Sequence, residues 1–103
     1  MHHQTITDMT KKQKLIARIK ELLIEKGANE SNKLEHDIYL IDYRRRNGDP
    51  WYGKITDVWL DKDGNAKCHV WYWGTECVED ISTLTCTNLG FVLEYLTNGY
   101  IIQ

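Results

Sequence analysis

Trp51-Tyr52-Gly53-Lys54-Ile55-Thr56-Asp57-Val58-Trp59-Leu60-Asp61-Lys62-Asp63-Gly64-Asn65-Ala66-Lys67-Cys68-His69-Val70-Trp71-Tyr72-Trp73 is the stretch that decides the fold, and it holds all four tryptophans of the chain. Two runs rich in β-branched and aromatic residues flank Asp61-Lys62-Asp63-Gly64-Asn65, a turn sequence, so the stretch reads as a β-hairpin. A three-residue loop Lys62-Asp63-Gly64, with Gly64 in the left-handed position of a G1 bulge, pairs Asp61 with Asn65. Val58 and Leu60 then share a face with Ala66, Cys68, Val70 and Tyr72. Ile55, Asp57 and Trp59 share the other with Lys67, His69, Trp71 and Trp73. A two-residue Asp63-Gly64 turn would slip the pairing and exchange the faces of one strand. The first register is preferred because it gathers the small aliphatic residues on one core-like face.

Outward from the hairpin, Leu15, Ile16, Ile19, Leu22 and Leu23 recur at helical spacing and predict an amphipathic helix over residues 8–26. Thr7 or Thr10 can cap its start, and Gly27 suits the left-handed residue that ends it. Asp37 to Tyr43 reads as a strand with apolar groups on both faces, the pattern of an interior strand. Asn47-Gly48-Asp49-Pro50 signals a turn, and Gly74-Thr75 another. Cys77 to Ile81 is an edge strand whose acidic residues discourage further pairing. Leu89, Val92, Leu93 and Leu96 predict a second helix over residues 87–97, capped by Thr87 or Asn88 and ended at Asn98-Gly99. Tyr100-Ile101-Ile102 is an apolar tail expected to pack down. The expected fold is α+β: an N-terminal amphipathic helix, a three- to four-stranded antiparallel meander over residues 36–81, and a C-terminal helix. Residues 1–103 then form one small domain. Many small bacterial domains share this order of elements, and no family motif accompanies it here.

Composition narrows the function classes. With 42% hydrophobic and 27% charged residues the chain is neither disordered nor membrane-like, and a net charge of −2 gives no bulk basicity for nucleic acid. Charge is nonetheless uneven: residues 1–26 carry six basic against three acidic groups, and residues 60–103 two basic against six acidic. Three cysteines do not make an even disulfide framework, and the sequence shows neither a secretory h-region nor an 18-residue apolar run. A cytoplasmic chain with reduced thiols is the expectation.

No constellation of residues points to catalysis. Cys68, His69, Cys77 and Cys86 lack the CxxC-like knuckle of structural zinc sites, and adjacent strand residues such as Cys68 and His69 point to opposite faces. A Cys/His nucleophile pair built from Cys77 or Cys86 with His69 or His36 has no local signature. Asp61-Lys62-Asp63-Gly64 resembles the start of a calcium loop, but position 72 is Tyr rather than the required Glu, and strands flank it instead of helices. No phosphate-binding glycine loop occurs. The chain is therefore read as non-enzymatic, with no cofactor, no metal and no small-molecule ligand.

Two amphipathic helices suffice to cover one face of a small sheet, which leaves the face of Ile55, Trp59, Trp71 and Trp73 without cover. A face that apolar is expected to meet a protein partner or a second copy of the chain. The alternative is a single-stranded nucleic-acid module, with Arg44, Arg45 and Arg46 gripping phosphates while Trp51 and Tyr52 stack on bases.

Overall fold

The computed structural model describes residues 9–46 and 49–99, and the side chains of residues 9–41 and 52–99. Helix α1 (Lys11–Glu25) is followed by strands β1 (Leu34–Arg46), β2 (Asp49–Leu60), β3 (Ala66–Tyr72) and β4 (Thr75–Asp80). A short 3-10 turn (Ile81–Thr83) leads into helix α2 (Cys86–Asn98). The strands form one antiparallel sheet in the order β1-β2-β3-β4, so the fold is α+β with a simple meander.

Local chemistry sets the ends of the elements. Thr10 caps α1 in a reciprocal box: its hydroxyl accepts from the Gln13 N–H at 3.1 Å, and the Gln13 side chain accepts from the Thr10 N–H at 2.8 Å. Thr85, not Thr87 or Asn88, caps α2; its hydroxyl accepts from the Asn88 N–H at 3.2 Å, so the helix starts at Cys86, one residue before its predicted beginning. Gly99 closes α2 in the left-handed conformation. The tip joining β2 to β3 follows the three-residue reading. Gly64 has φ +81°, the Asp61 N–H donates to the Asn65 carbonyl at 2.9 Å, and Leu60, Trp59 and Val58 pair with Ala66, Lys67 and Cys68. The Asp61 carboxylate accepts from the Asp63 and Asn65 N–H groups, both at 2.9 Å, and those bonds hold its carboxyl below the usual range. Turn closure thus engages the Oδ1 atom of Asp61 twice.

Both helices lie on the same face of the sheet. One core joins Ile19, Leu22 and Leu23 of α1 and Leu89, Val92 and Leu96 of α2 to Ile38, Leu40, Ile55, Val58, Ala66, Cys68 and Val70 of the sheet. Ile81 and Leu84 close its β4 end. Among the described residues, no helix is long and apolar enough to cross a membrane.

Three expectations are corrected. First, β1 is an edge strand: Ile38 and Leu40 face the core, while Tyr39 and Ile41 are exposed on the outer face. Its apolar groups on both sides mark an uncovered sheet face, not an interior position. Second, Ile55 is fully buried in the core. Pairing passes from Ile55↔Val70 to Asp57↔His69, so Thr56 is an extra residue in β2 that reverses the alternation there. Third, β1 runs on to Arg46 instead of breaking at Arg44, and pairs with β2 through Arg46↔Asp49. The turn at Asn47-Gly48, a cap at Thr7 and the tail Tyr100-Ile101-Ile102 lie outside the described residues.

Asn88, the one fully buried polar residue among the described residues, binds the edge of the sheet. Its side-chain carbonyl accepts from the Ile41 N–H and its amide donates to the Ile41 carbonyl, each at 2.9 Å. Ile41 lies where the β1–β2 register shifts between Leu40 and Arg44. A side-chain amide thus replaces a neighbouring strand for one residue. Asn88→Leu removes both of these bonds from a part-buried stretch of β1, which should lower unfolding stability by about 1–2 kcal/mol. Chemical denaturation measures the loss, and the Ile41 amide should lose its hydrogen-exchange protection ahead of the core amides.

Candidate functional site

The sheet face turned away from the helices is built as cross-strand rows. Tyr39 pairs with Lys54, Lys54 with Trp71, and Trp71 with Glu76, so one row crosses all four strands. A second row runs Glu35, Asp57, His69 and Val78. Tyr39, Ile41, Tyr52, Trp71, Trp73 and Val78 are all exposed, Trp71 to 48% and Trp73 to 70%. Tyr39, Tyr52, Gly53, Lys54 and Trp71 line a shallow hollow of about 240 Å³ on this face.

Charged groups between the aromatics are paired with one another. Lys54 lies 3.6 Å from Asp37 and Lys67 lies 3.6 Å from Asp80. His69 hydrogen-bonds Asp57 through Nδ1, and its Nε2 is 3.8 Å from Glu76. The face is therefore apolar with local compensation, not a field of one sign.

Trp59 departs from expectation. It lies on this face but is only 5% exposed. The Lys33 ammonium sits 4.4 Å from its ring centroid, and the His69 ring packs against it at 4.8 Å. A cation over an indole and a tilted imidazole close the ring over without any helix. Of the four residues expected on the interaction face, Trp71 and Trp73 are open, Trp59 is covered, and Ile55 belongs to the core. Tyr39 was not anticipated as a member, since β1 reads from sequence as interior; the edge position exposes it. Of the expected nucleic-acid contacts, Tyr52 is exposed beside Lys54, and the side chains of Arg44, Arg45, Arg46 and Trp51 lie outside the described residues.

Trp73 has an unusual backbone. Trp73 and Gly74 form the two-residue link between Tyr72 and Thr75, with φ +51° and +72°, as a type I′ hairpin turn requires. Asn or Gly occupies such a position at little cost, whereas a bulky side chain is strained there by about 1 kcal/mol. Gly74-Thr75 was expected as this turn; Thr75 instead opens β4, and the turn falls one residue earlier.

Cys68 is buried, and burial, reinforced by Glu79, pushes its thiol up to about 12. It faces the core while the adjacent His69 faces outward. No cluster of three or more His, Cys, Asp or Glu side chains suited to a metal occurs among the described residues.

At the irregular end of β1, Glu35, His36, Asp37, Thr56, Asp57 and Tyr95 line a second hollow of about 500 Å³. The His36 ring packs on Tyr95 at 4.4 Å, and its Nε2 is buried without a hydrogen-bond partner. No family model, no curated protein and no solved structure matches this chain.

Burial, aided by the positive charge of Lys26, lowers the pKa of His36 below its ordinary 6.5. The unfolded chain therefore takes up this proton first, so the contribution of His36 to stability is complete above pH 6.5 and is lost as the pH falls below it. His36→Phe keeps the ring contact with Tyr95 and removes the titration. Unfolding midpoints measured from pH 7.5 to 5 should fall less steeply for this variant than for the natural chain.

Proposed function

We propose that this protein is a non-enzymatic binding or regulatory protein that acts through protein contacts on the outer face of its sheet. One observation carries the reading: six large hydrophobic side chains are exposed on the face opposite both helices. Each leaves on the order of 100 Å² accessible, so together they present roughly 600 Å² of largely apolar surface, at the top of the range for a free monomer. Support also comes from Trp73, whose strained backbone is kept where the side chain is 70% exposed, although Asn would suit the turn better. A cytoplasmic setting belongs to the same proposal and fits three cysteines that are free thiols.

A second reading, single-stranded nucleic acid, is favoured by the hollow of Tyr39, Tyr52 and Trp71 around Lys54, because such binders combine a cation with stacking platforms. Against it, Lys54 and Lys67 are already compensated by Asp37 and Asp80. Salt separates the two readings: phosphate binding weakens steeply between 50 and 200 mM salt, and an apolar interface hardly responds.

Two substitutions test the protein-contact reading. Trp73→Asn should raise stability by about 1 kcal/mol by relieving the backbone, and at the same time weaken association. Trp71→Ala should weaken association by about 2 kcal/mol and leave the folded state near its natural stability. Denaturation and binding isotherms on the same samples measure both effects. A loss of stability of several kcal/mol in either variant would show the ring to be core and would end this reading.

A further inference from the structure

We infer that the outer face closes on a second copy of this chain, across a two-fold axis that runs along the strands between β2 and β3. The inference rests on the reading of this face as a binding surface and names its occupant. An axis so placed lays β1 of one copy over β4 of the other and β2 over β3, in the aligned packing that twisted sheets adopt about 10 Å apart. The register then determines what meets what. In the row Tyr39–Lys54–Trp71–Glu76, Lys54 comes over Trp71 of the second copy, and Tyr39 comes over Glu76. Both meetings occur twice, since a two-fold interface is its own complement. The first sets an ammonium on an indole face, and the second sets a phenol hydroxyl where a carboxylate accepts it.

Neighbouring rows obey the same rule. Beyond that row, Tyr52 of β2 comes toward the Trp73-Gly74 turn that follows β3, which brings two exposed aromatic residues to the same end of the face. In the other direction Asp57 meets His69, an acid against a potential cation. In these three rows no like charges fall opposite each other. This pattern follows from the register, which sets Lys54 opposite Trp71 and Asp57 opposite His69 across the axis; Glu35 alone falls opposite an apolar residue, Val78.

Area and edges agree with this occupant. Roughly 600 Å² of exposed apolar surface, together with the paired charges between its members, approaches the ~800 Å² that each partner contributes to a standard interface. Pairing through the sheet edges is disfavoured by comparison. Asn88 takes both Ile41 backbone groups on β1. The β4 edge carries Glu76, Glu79 and Asp80, which would confront one another in a two-fold strand pairing.

Sedimentation equilibrium of the full chain, combined with isotope-filtered NOE spectra of a mixture of ¹³C-labelled and unlabelled chains, tests the inference. The expected result is twice the 12.1 kDa chain mass, with intermolecular NOEs from the Lys54 methylenes to the Trp71 ring and from Tyr52 to Trp73. Trp71→Ala should raise the dissociation constant roughly thirtyfold or more, and Lys54→Glu should also dissociate the dimer. A monomer at several hundred micromolar overturns the inference, as does a dimer whose intermolecular NOEs arise elsewhere. In those cases the stability of Trp71→Ala and Trp73→Asn decides the parent reading. If both variants fold and the natural tryptophans are open to quenchers, the binding face stands with another occupant, and salt-steep binding of an oligothymidine would assign it to single strands. If the variants unfold, the binding face falls as well.

Discussion

Burial of the row Ile38–Ile55–Val70 beneath the two helices is the constraint on which the rest of the structure depends. These three side chains sit in register on β1, β2 and β3, and all are fully buried. Side chains alternate along a strand, so committing this row to the core commits its neighbour, Tyr39–Lys54–Trp71, to the other side. Burying an aliphatic side chain of this kind contributes about 1.5–3 kcal/mol, which makes a one-residue slip along the sheet prohibitive. The aromatic character of the outer face is thus enforced from within: the core cannot be kept while the tryptophans are turned inward.

Thr56 and Asn88 reconcile that row with a sheet whose strands do not match in length. The extra residue at Thr56 brings Ile55 into phase with Val58, so β2 places both in the core although they are three residues apart. Toward β1 the compensating residues are His36 and Asp37, and because β1 absorbs them its own alternation of Leu34, His36, Ile38 and Leu40 survives. His36 is then packed against Tyr95 on α2, where its Nε2 is buried without a hydrogen-bond partner. Further along, β1 loses register again at Ile41, and Asn88 reaches from α2 to bond the backbone there. A helix–sheet hydrogen-bond pair does at that point what a neighbouring strand does elsewhere.

Much of this was legible in the residues. The Asp61–Asn65 turn, the register beyond it, both helices and the order of the strands follow from turn chemistry and periodicity, because those signals are local. What escaped were consequences of pairing between distant segments. A bulge at Thr56 has no glycine to announce it, so Ile55 was assigned to the wrong face. Lys33 and Trp59 are far apart in sequence, and nothing in either predicts that one covers the other. β1 reads as interior because apolar residues on both sides of a strand have two explanations, cover on both faces or a face awaiting a partner, and sequence does not separate them. Asn88 reads as a cap because Asn is a good one, yet its amide serves Ile41, 47 positions away.

A Trp at the first position of a type I′ turn opposes local preference, and three exposed aromatic residues around Lys54 lower solubility while adding little to the folded monomer. Local rules are obeyed almost everywhere else, from the Thr10 box to the Gly64 bulge, so these departures are confined to one surface. Sequences tend to break local preference where another demand outweighs stability. The strained turn holds Trp73, 70% exposed, directly after β3, and a relaxed Asn in its place would remove one exposed ring. Conformational cost and exposed apolar area thus fall on the same few residues, on the face that no helix among the described residues covers.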